Sequence, residues 1–351
     1  MKWNHIKILL IILLIIVNAF FAVTLFIQYR TANYIPDSEL DSLTTLLSGG
    51  NVQIAQGALP AKKQDSTFYG GDYPRDPSGY YETTANRLSG GFYEATVNMP
   101  SGEKISKSYV NPNGMNFVMR DGGETYEYEF TYPFGIKYVY RGKGTDDYVI
   151  DENSAAVAAL PKVDIIRAFY TMNTIRRFLY AGDKQNGDTS GGLRIRLEAD
   201  SVRYDASKYC YIAEVTQYAG SQPINGCSAL IAVNGNKVVY VSGNLILCSL
   251  SESYPAELRD QVNLMLAEKR ELSQTGEVNS DTAETTADTN AVDSPPAESD
   301  LIYTLTSAKS CYCLFLDNDR AKFYLVPGWN FTYNGAITRI RDAVKGSIYT
   351  K

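Results

Sequence analysis

The stretch ILLIILLIIVNAFFAVTLFI, residues 8–27, decides the organisation of this chain. It carries no charged side chain, and Asn18 is its only strongly polar residue. A helix of this length extends about 30 Å, which matches the hydrocarbon thickness of a bilayer. A signal peptide has a shorter apolar region, about 7–15 residues, and small residues before its cleavage site. Because the best such site, Ala22-Val23-Thr24, lies inside the run, an uncleaved transmembrane helix is predicted, with a signal peptide as the alternative.

The charged residues that flank this stretch indicate its orientation. Lys2 and Lys7 precede it, whereas Arg30 follows it alone and is succeeded by acidic residues. Basic residues accumulate on the cytoplasmic side of transmembrane helices. We therefore expect a single-pass protein of the cell membrane, with its N-terminus in the cytoplasm and the bulk of the chain extracytoplasmic. Residues 1–33 form the cytoplasmic tail and the anchor in this interpretation.

The anchor itself carries a candidate surface for a partner helix. Asn18 lies near the bilayer centre, where an unpaired amide is costly. Ala22 lies one turn further along the same side and Ala19 is adjacent, so a neighbouring helix has room to approach. The sequence predicts a transmembrane partner face at Asn18, Ala19 and Ala22. The alternative is that Asn18 bonds its own helix backbone and the alanines are incidental.

The charge distribution argues against a nucleic-acid partner. The 351 residues have a formal net charge of −6, and without Lys2, Lys7 and Arg30 the remainder carries −9. No basic excess is therefore present to neutralise phosphates. Seven of the acidic residues lie in 273–300, which has no Lys, Arg or aromatic residue. That segment buries too little apolar surface to offset its ordering entropy, so a disordered insert is predicted at 273–300.

The rest of the chain has the pattern of an α+β fold. Strand-like runs rich in tyrosine crowd into residues 92–140, as expected for pleated, half-exposed sheet surfaces. Two β-rich domains are predicted, 34–155 near the membrane and 156–351 distal to it, with antiparallel sheets and helices packed on one face. Residues 162–180 have the spacing of an amphipathic helix. Its predicted buried face consists of Ile165, Ala168, Met172, Ile175 and Leu179.

Turn and breaker residues divide the chain further. Residues 60–90 are predicted as a loop because Gly70-Gly71 and Asp76-Pro77 interrupt them. Asn234-Gly235 predicts a β-hairpin with a type I′ turn. Pro255 predicts the start of a helix, since proline favours the first helical position.

The cysteines leave the redox state open. An extracytoplasmic location permits disulfides, but the sequence does not fix their pairing. The expected arrangement is buried apolar thiols, with or without one bridge. No Cys-x-x-Cys spacing occurs, and the single histidine, His5, lies on the cytoplasmic flank, so no metal site and no cofactor are predicted. The five cysteines are Cys210, Cys227, Cys248, Cys311 and Cys313.

The histidine count also bears on catalysis. Without an extracytoplasmic histidine the chain lacks the base of a Ser-His or Cys-His nucleophile, and it has no phosphate-cradling glycine loop. Asp121, Glu124, Asp146 and Asp147 are carboxylates that a hydrolase could use, but solvated turn residues are their ordinary role. The prediction is a non-enzymatic protein with no catalytic residue.

Several stretches carry a resemblance to a known family. They are MKWNHIK at 1–7, the helix and strand of 38–54, the segment 218–241 with Gln222-Pro223-Ile224, and the ending Val326-Pro327-Gly328-Trp329 with Asp342-Ala343-Val344-Lys345-Gly346. In these the chain resembles YycI, a membrane-anchored regulator that acts with its relative YycH on the WalK (YycG) sensor histidine kinase of Gram-positive bacteria. The resemblance implies a regulator that contacts the transmembrane helices of the kinase and influences cell-wall homeostasis.

A function of another class is kept as the alternative. The segment 218–241 is also similar to propeptide-type modules, which implies an anchored module that holds a secreted peptidase or a cell-wall polymer. The apolar span distinguishes the two functions. A span that only tethers the chain works with any apolar sequence of the same length, whereas a span that recognises a partner depends on its own residues.

Overall fold

The chain is described here by a computed structural model. It describes residues 3–48, 52–60, 64, 67–73, 77–88, 105–111, 113–121, 123–142, 148, 150, 154–180, 195–255, 258, 261–277, 303–343 and 348–350. The helices are α1 (Trp3–Asn33), α2 (Asp37–Leu47), α3 (Pro77–Leu88), α4 (Ser154–Ala158), α5 (Ile165–Leu179) and α6 (Gln261–Glu277). The first eight strands are β1 (Val52–Ile54), β2 (Thr67–Asp72), β3 (Ile105–Asn111), β4 (Gly114–Asp121), β5 (Glu124–Thr131), β6 (Gly135–Arg141), β7 (Ile195–Asp205) and β8 (Cys210–Ala219). The others are β9 (Gln222–Asn234), β10 (Lys237–Asn244), β11 (Leu250–Pro255), β12 (Tyr303–Asp317), β13 (Lys322–Tyr333), β14 (Ile337–Asp342) and β15 (Ile348–Thr350).

The chain divides into two compact units. The first consists of Met1–Ser66, Glu257–Ser310 and Pro327–Lys351, and the second of Thr67–Ala256 and Cys311–Val326. The predicted consecutive domains, 34–155 and 156–351, differ from this division. The physical reason is strand pairing distant in sequence, because β6 pairs with β10 through Val139 and Tyr240. Such a ladder joins residues on both sides of the predicted boundary in one unit.

The first unit packs two helices with short ladders of strands. α2 contacts α6, and both contact β1. β1 runs parallel to β12, with Val52 opposite Tyr303, and β13 pairs antiparallel with β14, with Trp329 opposite Arg341. The apolar faces of these elements form one core, whose members include Leu43, Leu47, Leu264, Leu272, Trp329 and Phe331.

The second unit is dominated by antiparallel strands. Its ladder runs β3-β4-β5-β6-β10-β9, and β8 and β7 continue from β9. A single parallel pairing, Tyr312 with Ile224, joins β12 to β9. α3 contacts β4, and α5 contacts β7, β9 and β10. The predicted α+β class with antiparallel sheets is confirmed in this coarse form, although two pairs among the described strands are parallel.

Two local predictions are confirmed with small changes. The predicted helix at 162–180 is α5, for which Asp164 is the N-cap and accepts a hydrogen bond from the Arg167 amide at 2.8 Å. The Asn234-Gly235 hairpin joins β9 and β10 through a two-residue turn, since Asn234 pairs with Lys237. Of the two central residues only Gly235 has a positive φ, +59°. That pattern belongs to a type II′ turn and not to the predicted type I′.

The predicted loop at 60–90 is wrong from residue 67 onwards, where the chain forms β2 and then α3. Gly70-Gly71 lies inside β2 and not in a turn. A Cβ on Gly71 would lie 2.3 Å from the Phe323 ring, so glycine here admits an aromatic side chain above the strand. α3 buries Tyr81, Ala85 and Leu88 at helical spacing.

Two further boundaries differ from prediction. Pro255 ends strand β11 and does not begin a helix; it pairs with Thr67 of β2 at an edge, where proline is tolerated. The helix predicted there begins at Gln261 and extends to Glu277. Residues 273–277, predicted as part of the disordered insert, are therefore helical. Residues 278–300 lie outside the described part of the chain.

Candidate interaction surfaces

Helix α1 is long and apolar enough to cross a membrane. Its segment Ile11–Gln28 has a mean hydropathy of 2.6, and none of it is buried against the protein. A signal sequence near an N-terminus satisfies the same criteria of length and composition. A helix of suitable length and composition to span a membrane is therefore present, as predicted, while its orientation stays a prediction.

The predicted partner face lies within this one continuous helix. Asn18, Ala19 and Ala22 are all exposed. The four-residue spacing of Asn18 and Ala22 brings them to one side, and Ala19 lies about 100° further round. Thr24 donates its hydroxyl to the carbonyl of Phe20 at 2.8 Å. Among the described residues Asn18 makes no comparable bond, which leaves its amide available to a neighbouring helix.

A second surface lies on α5. The helix buries Met172, Ile175 and Leu179 against β7, β9 and β10. Its other side carries four large apolar side chains in the solvent, defined here as the α5 apolar patch. These are Ile165, Ile166, Phe169 and Tyr170, with exposed fractions of 84%, 64%, 59% and 66%.

The clustering of these residues separates the patch from ordinary exposed apolar side chains. Outside α1, eleven large apolar residues are exposed in the described part of the chain, and four of them fall within 165–170. At about 100° per residue, Ile166 and Tyr170 point away from Ile175, which is fully buried. Single exposed apolar residues are normal, whereas a contiguous group indicates a contact surface.

Helix α5 and the residues before it also carry exposed basic side chains. Lys162, Arg167, Arg176 and Arg177 are exposed, and Asp164 is the only acidic residue within 162–180. Asp164 is already engaged, because it caps the helix and lies 3.8 Å from the Arg167 guanidinium. The segment 162–180, which carries the patch, therefore has a net positive charge.

The sequence prediction missed this surface and placed Ile165 in the core. The structure puts Ile165 at the first turn of α5 with 84% of its surface exposed. A signal was present in the sequence. The pairs Ile165-Ile166 and Phe169-Tyr170 follow each other at a spacing of four, and adjacent residues on a helix cannot all face one sheet. Such doubled pairs indicate a second apolar face.

A polar cluster on the second unit is satisfied internally. The carboxylate of Glu124 accepts hydrogen bonds from Tyr126 at 2.6 Å, Tyr140 at 2.8 Å and Lys237 at 3.0 Å. These bonds, that of Tyr126 first, lower the pKa of Glu124 to about 2. The Lys237 ammonium also lies 3.5 Å from the centre of the Tyr140 ring, a cation–π contact. Each group has its partners, so the cluster is best explained as a clamp between strands.

This clamp predicts a dependence of stability on pH. Because the folded-state pKa of Glu124 lies below its ordinary value of 4.5, its contribution is present above pH 4.5 and is lost as the pH falls towards 2. Glu124→Gln is expected to remove this dependence, and Tyr140→Phe, which keeps the ring under Lys237, to reduce it. Urea unfolding at several pH values measures the effect. Parallel stability curves for wild type and Glu124→Gln would contradict it.

The cysteines remain thiols. All five are free, and four are buried. Burial raises the pKa of the Cys227 thiol to about 12 and those of Cys210 and Cys248 to about 11. Such thiols carry little thiolate near neutral pH and are poor nucleophiles. Within the described residues no group of histidine, cysteine and carboxylate side chains could hold a metal ion.

Comparisons with protein-family models, with curated proteins and with solved structures found no match. Two surfaces of the described residues are candidates for binding a partner. α1 offers an apolar helix with one amide and two alanines, and α5 offers an apolar patch on a segment with a net positive charge.

Proposed function

We propose that the protein is a membrane-anchored extracytoplasmic regulator of a two-component sensor histidine kinase that controls cell-wall homeostasis, of the YycI kind. Its partners in this proposal are a WalK-like kinase and a YycH-like relative. The observation that supports the proposal most strongly is the exposure of α1 and the composition of its surface. Its apolar segment Ile11–Gln28 is entirely unburied, and Asn18 and Ala22 interrupt its large apolar side chains on one side.

The chemistry of α1 supports a role beyond anchoring. Helices associate in lipid through close packing at small residues and through hydrogen bonds between helices. Ala22 and Ala19 leave space for a partner backbone, and the Asn18 amide offers two donors and an acceptor. A helix used only as a tether has no need of a polar residue in the hydrocarbon region, where it is costly.

The resemblance to YycI supplies the identity of the partner. The opening MKWNHIK and the stretches at 38–54 and 218–241 carry it. A membrane regulator of this kind recognises its kinase within the bilayer, so recognition does not require a catalytic site. The protein is accordingly proposed to act by binding.

Substitution of the α1 face tests this proposal. Asn18→Leu is expected to weaken association with the kinase about threefold, since hydrogen bonds between membrane helices average about 0.6 kcal/mol. Asn18→Leu with Ala22→Ile also blocks close approach and is expected to reduce it about tenfold or more. The measurement is co-isolation of the kinase with the full-length protein in mild detergent.

Two controls make the result specific to this face. Leu13→Ile with Phe20→Leu alters the opposite side of α1 and is expected to leave recovery unchanged. A chain in which residues 8–27 are all leucine is expected to lose the kinase. Equal recovery with every variant would make α1 a tether and would move recognition to the extracytoplasmic units, as the alternative of a peptidase- or polymer-binding module requires.

A further inference from the structure

The α5 apolar patch has the composition of a helix face that lies on a membrane. Interfacial helices combine an apolar face of aromatic and aliphatic residues with lysine and arginine beside it. Ile165, Ile166, Phe169 and Tyr170 provide the apolar part, and Arg176 and Arg177 follow on the exposed side. Tyrosine is a preferred residue at the boundary between lipid and water, because its ring is apolar and its hydroxyl is polar.

The charges beside the patch indicate which kind of apolar partner it would bind. Arg167 is held by Asp164 and by the Tyr211 hydroxyl, and Arg176 donates to the carbonyl of Leu197 at 3.1 Å. Arg177 extends from the exposed side without a bond to any described residue. An acidic surface complements this arrangement, and anionic lipid headgroups place negative charge directly above an apolar layer.

We propose that the exposed face of α5 is a second membrane contact, which docks on an anionic lipid surface while α1 holds the chain at the bilayer. The inference requires only that α1 spans or inserts in a membrane, and it is independent of the identity of a protein partner. A short patch alone binds lipid weakly, because stable attachment takes two signals. Anchoring by α1 makes the docking step intramolecular, so a weak contact is populated at high effective concentration.

The test places a fluorescent reporter in the patch of the full-length protein. Ile166→Trp is reconstituted with vesicles of neutral phosphatidylcholine, and with vesicles that contain about 30% phosphatidylglycerol. Both vesicle types carry lipids brominated in the acyl chains, which quench tryptophan only at contact. The native Trp3 and Trp329 contribute the same background to each sample, and the spectrum of the unsubstituted protein is subtracted.

A matched control distinguishes docking from mere proximity to the vesicle. Val110 is 80% exposed on β3, four strands from β10 in the same ladder, so Val110→Trp reports an exposed position away from the patch. The expected result is strong quenching at position 166 in the anionic vesicles and weak quenching at position 110. Adding Arg177→Gln to Ile166→Trp is expected to lower the ratio of docked to undocked protein about fivefold.

Several outcomes would overturn the proposal. Absence of quenching at position 166 in both vesicle types would show that the patch does not meet lipid. Equal quenching at positions 166 and 110 would show that the whole protein lies near the vesicle and that the patch has no specific contact with lipid. If position 166 is unquenched but becomes shielded from aqueous iodide when the kinase is co-reconstituted, the patch is a protein-binding surface instead. Circular dichroism of each variant confirms that the fold is kept.

Discussion

Replacement of Ile16 and Phe20 by arginine is expected to release the protein almost completely from membranes. The segment Ile11–Gln28 contains thirteen Leu, Ile, Phe or Val residues, of which eleven remain after the two replacements, and each favours insertion by about 0.3–0.6 kcal/mol near the helix centre. Two arginines near that centre cost about 5–7 kcal/mol. The opposing contributions are of similar size, so insertion should fail for most molecules. The measurement is the fraction that pellets with membranes after an alkaline carbonate wash.

The matched control replaces the same two positions by leucine. Ile16→Leu with Phe20→Leu keeps the apolar character and is expected to pellet like wild type. Retention of the arginine variant in the pellet would show that another part of the chain holds the membrane. Release of the wild-type protein into the medium in a shortened form would show that α1 is a signal sequence.

Removal of the buried carboxylate of Glu268 is expected to destabilise the first unit strongly. Glu268 and Arg341 are each about 1% exposed, and their side chains are bonded to each other. Arg339 also lies 3.3 Å from the Glu268 carboxylate. Glu268→Ala leaves the two guanidinium groups with one partly exposed carboxylate, that of Glu271, which lies 2.8 Å from Arg341 and 3.9 Å from Arg339. Two positive charges then share one negative charge, and breaking a buried ion pair in this way costs about 3–5 kcal/mol. Thermal unfolding should show a midpoint lowered by roughly 10 °C.

Two variants separate the buried charge from the loss of a contact. Glu127→Ala breaks the ion pair with Arg141, whose members are about 40% exposed at 3.2 Å, and is expected to cost less than about 1 kcal/mol. Glu268→Met with Arg341→Met replaces both charges by apolar side chains and is expected to recover most of the lost stability. Equal losses of stability in Glu268→Ala and Glu127→Ala would show that the buried ion pair contributes no more than the exposed one.

The parts of the fold that the sequence predicted are those with strong local signals. The apolar run at 8–27 predicts α1, because the length needed to cross a bilayer leaves few alternatives. The helical spacing within 162–180 predicts α5, and Asn234-Gly235 predicts the hairpin of β9 and β10. Each of these depends on residues near one another in the chain, so a local pattern is sufficient.

The missed elements depend on distant partners. β2 contains Gly70-Gly71, which suits a strand only because Phe323 and Tyr324 lie against it. Pro255 ends a strand only because β2 lies beside it. The division into two units follows from pairs such as β6 with β10, whose residues are about one hundred positions apart in the chain. No local pattern specifies such partners.

The sequence predicted the partner face on α1 but not the α5 apolar patch, for a related reason. Asn18 is conspicuous in an apolar helix, since polar residues are costly there. Ile165 and Phe169 are not conspicuous in a helix of a globular unit, because apolar residues are expected on its buried side. Only the packing of Ile175 and Leu179 against the strands determines which apolar side chains remain exposed.

Site-specific photocrosslinking within the membrane determines most directly whether a partner helix binds α1. A diazirine analogue of leucine is nearly isosteric at Leu25, which follows Ala22 by three residues on the same side, and at Leu13, which lies away from Asn18 and Ala22. We expect the full-length protein labelled at position 25 to capture the sensor kinase, and the protein labelled at position 13 to capture lipid. Capture of lipid alone from both positions, or of the kinase equally from both, would contradict it.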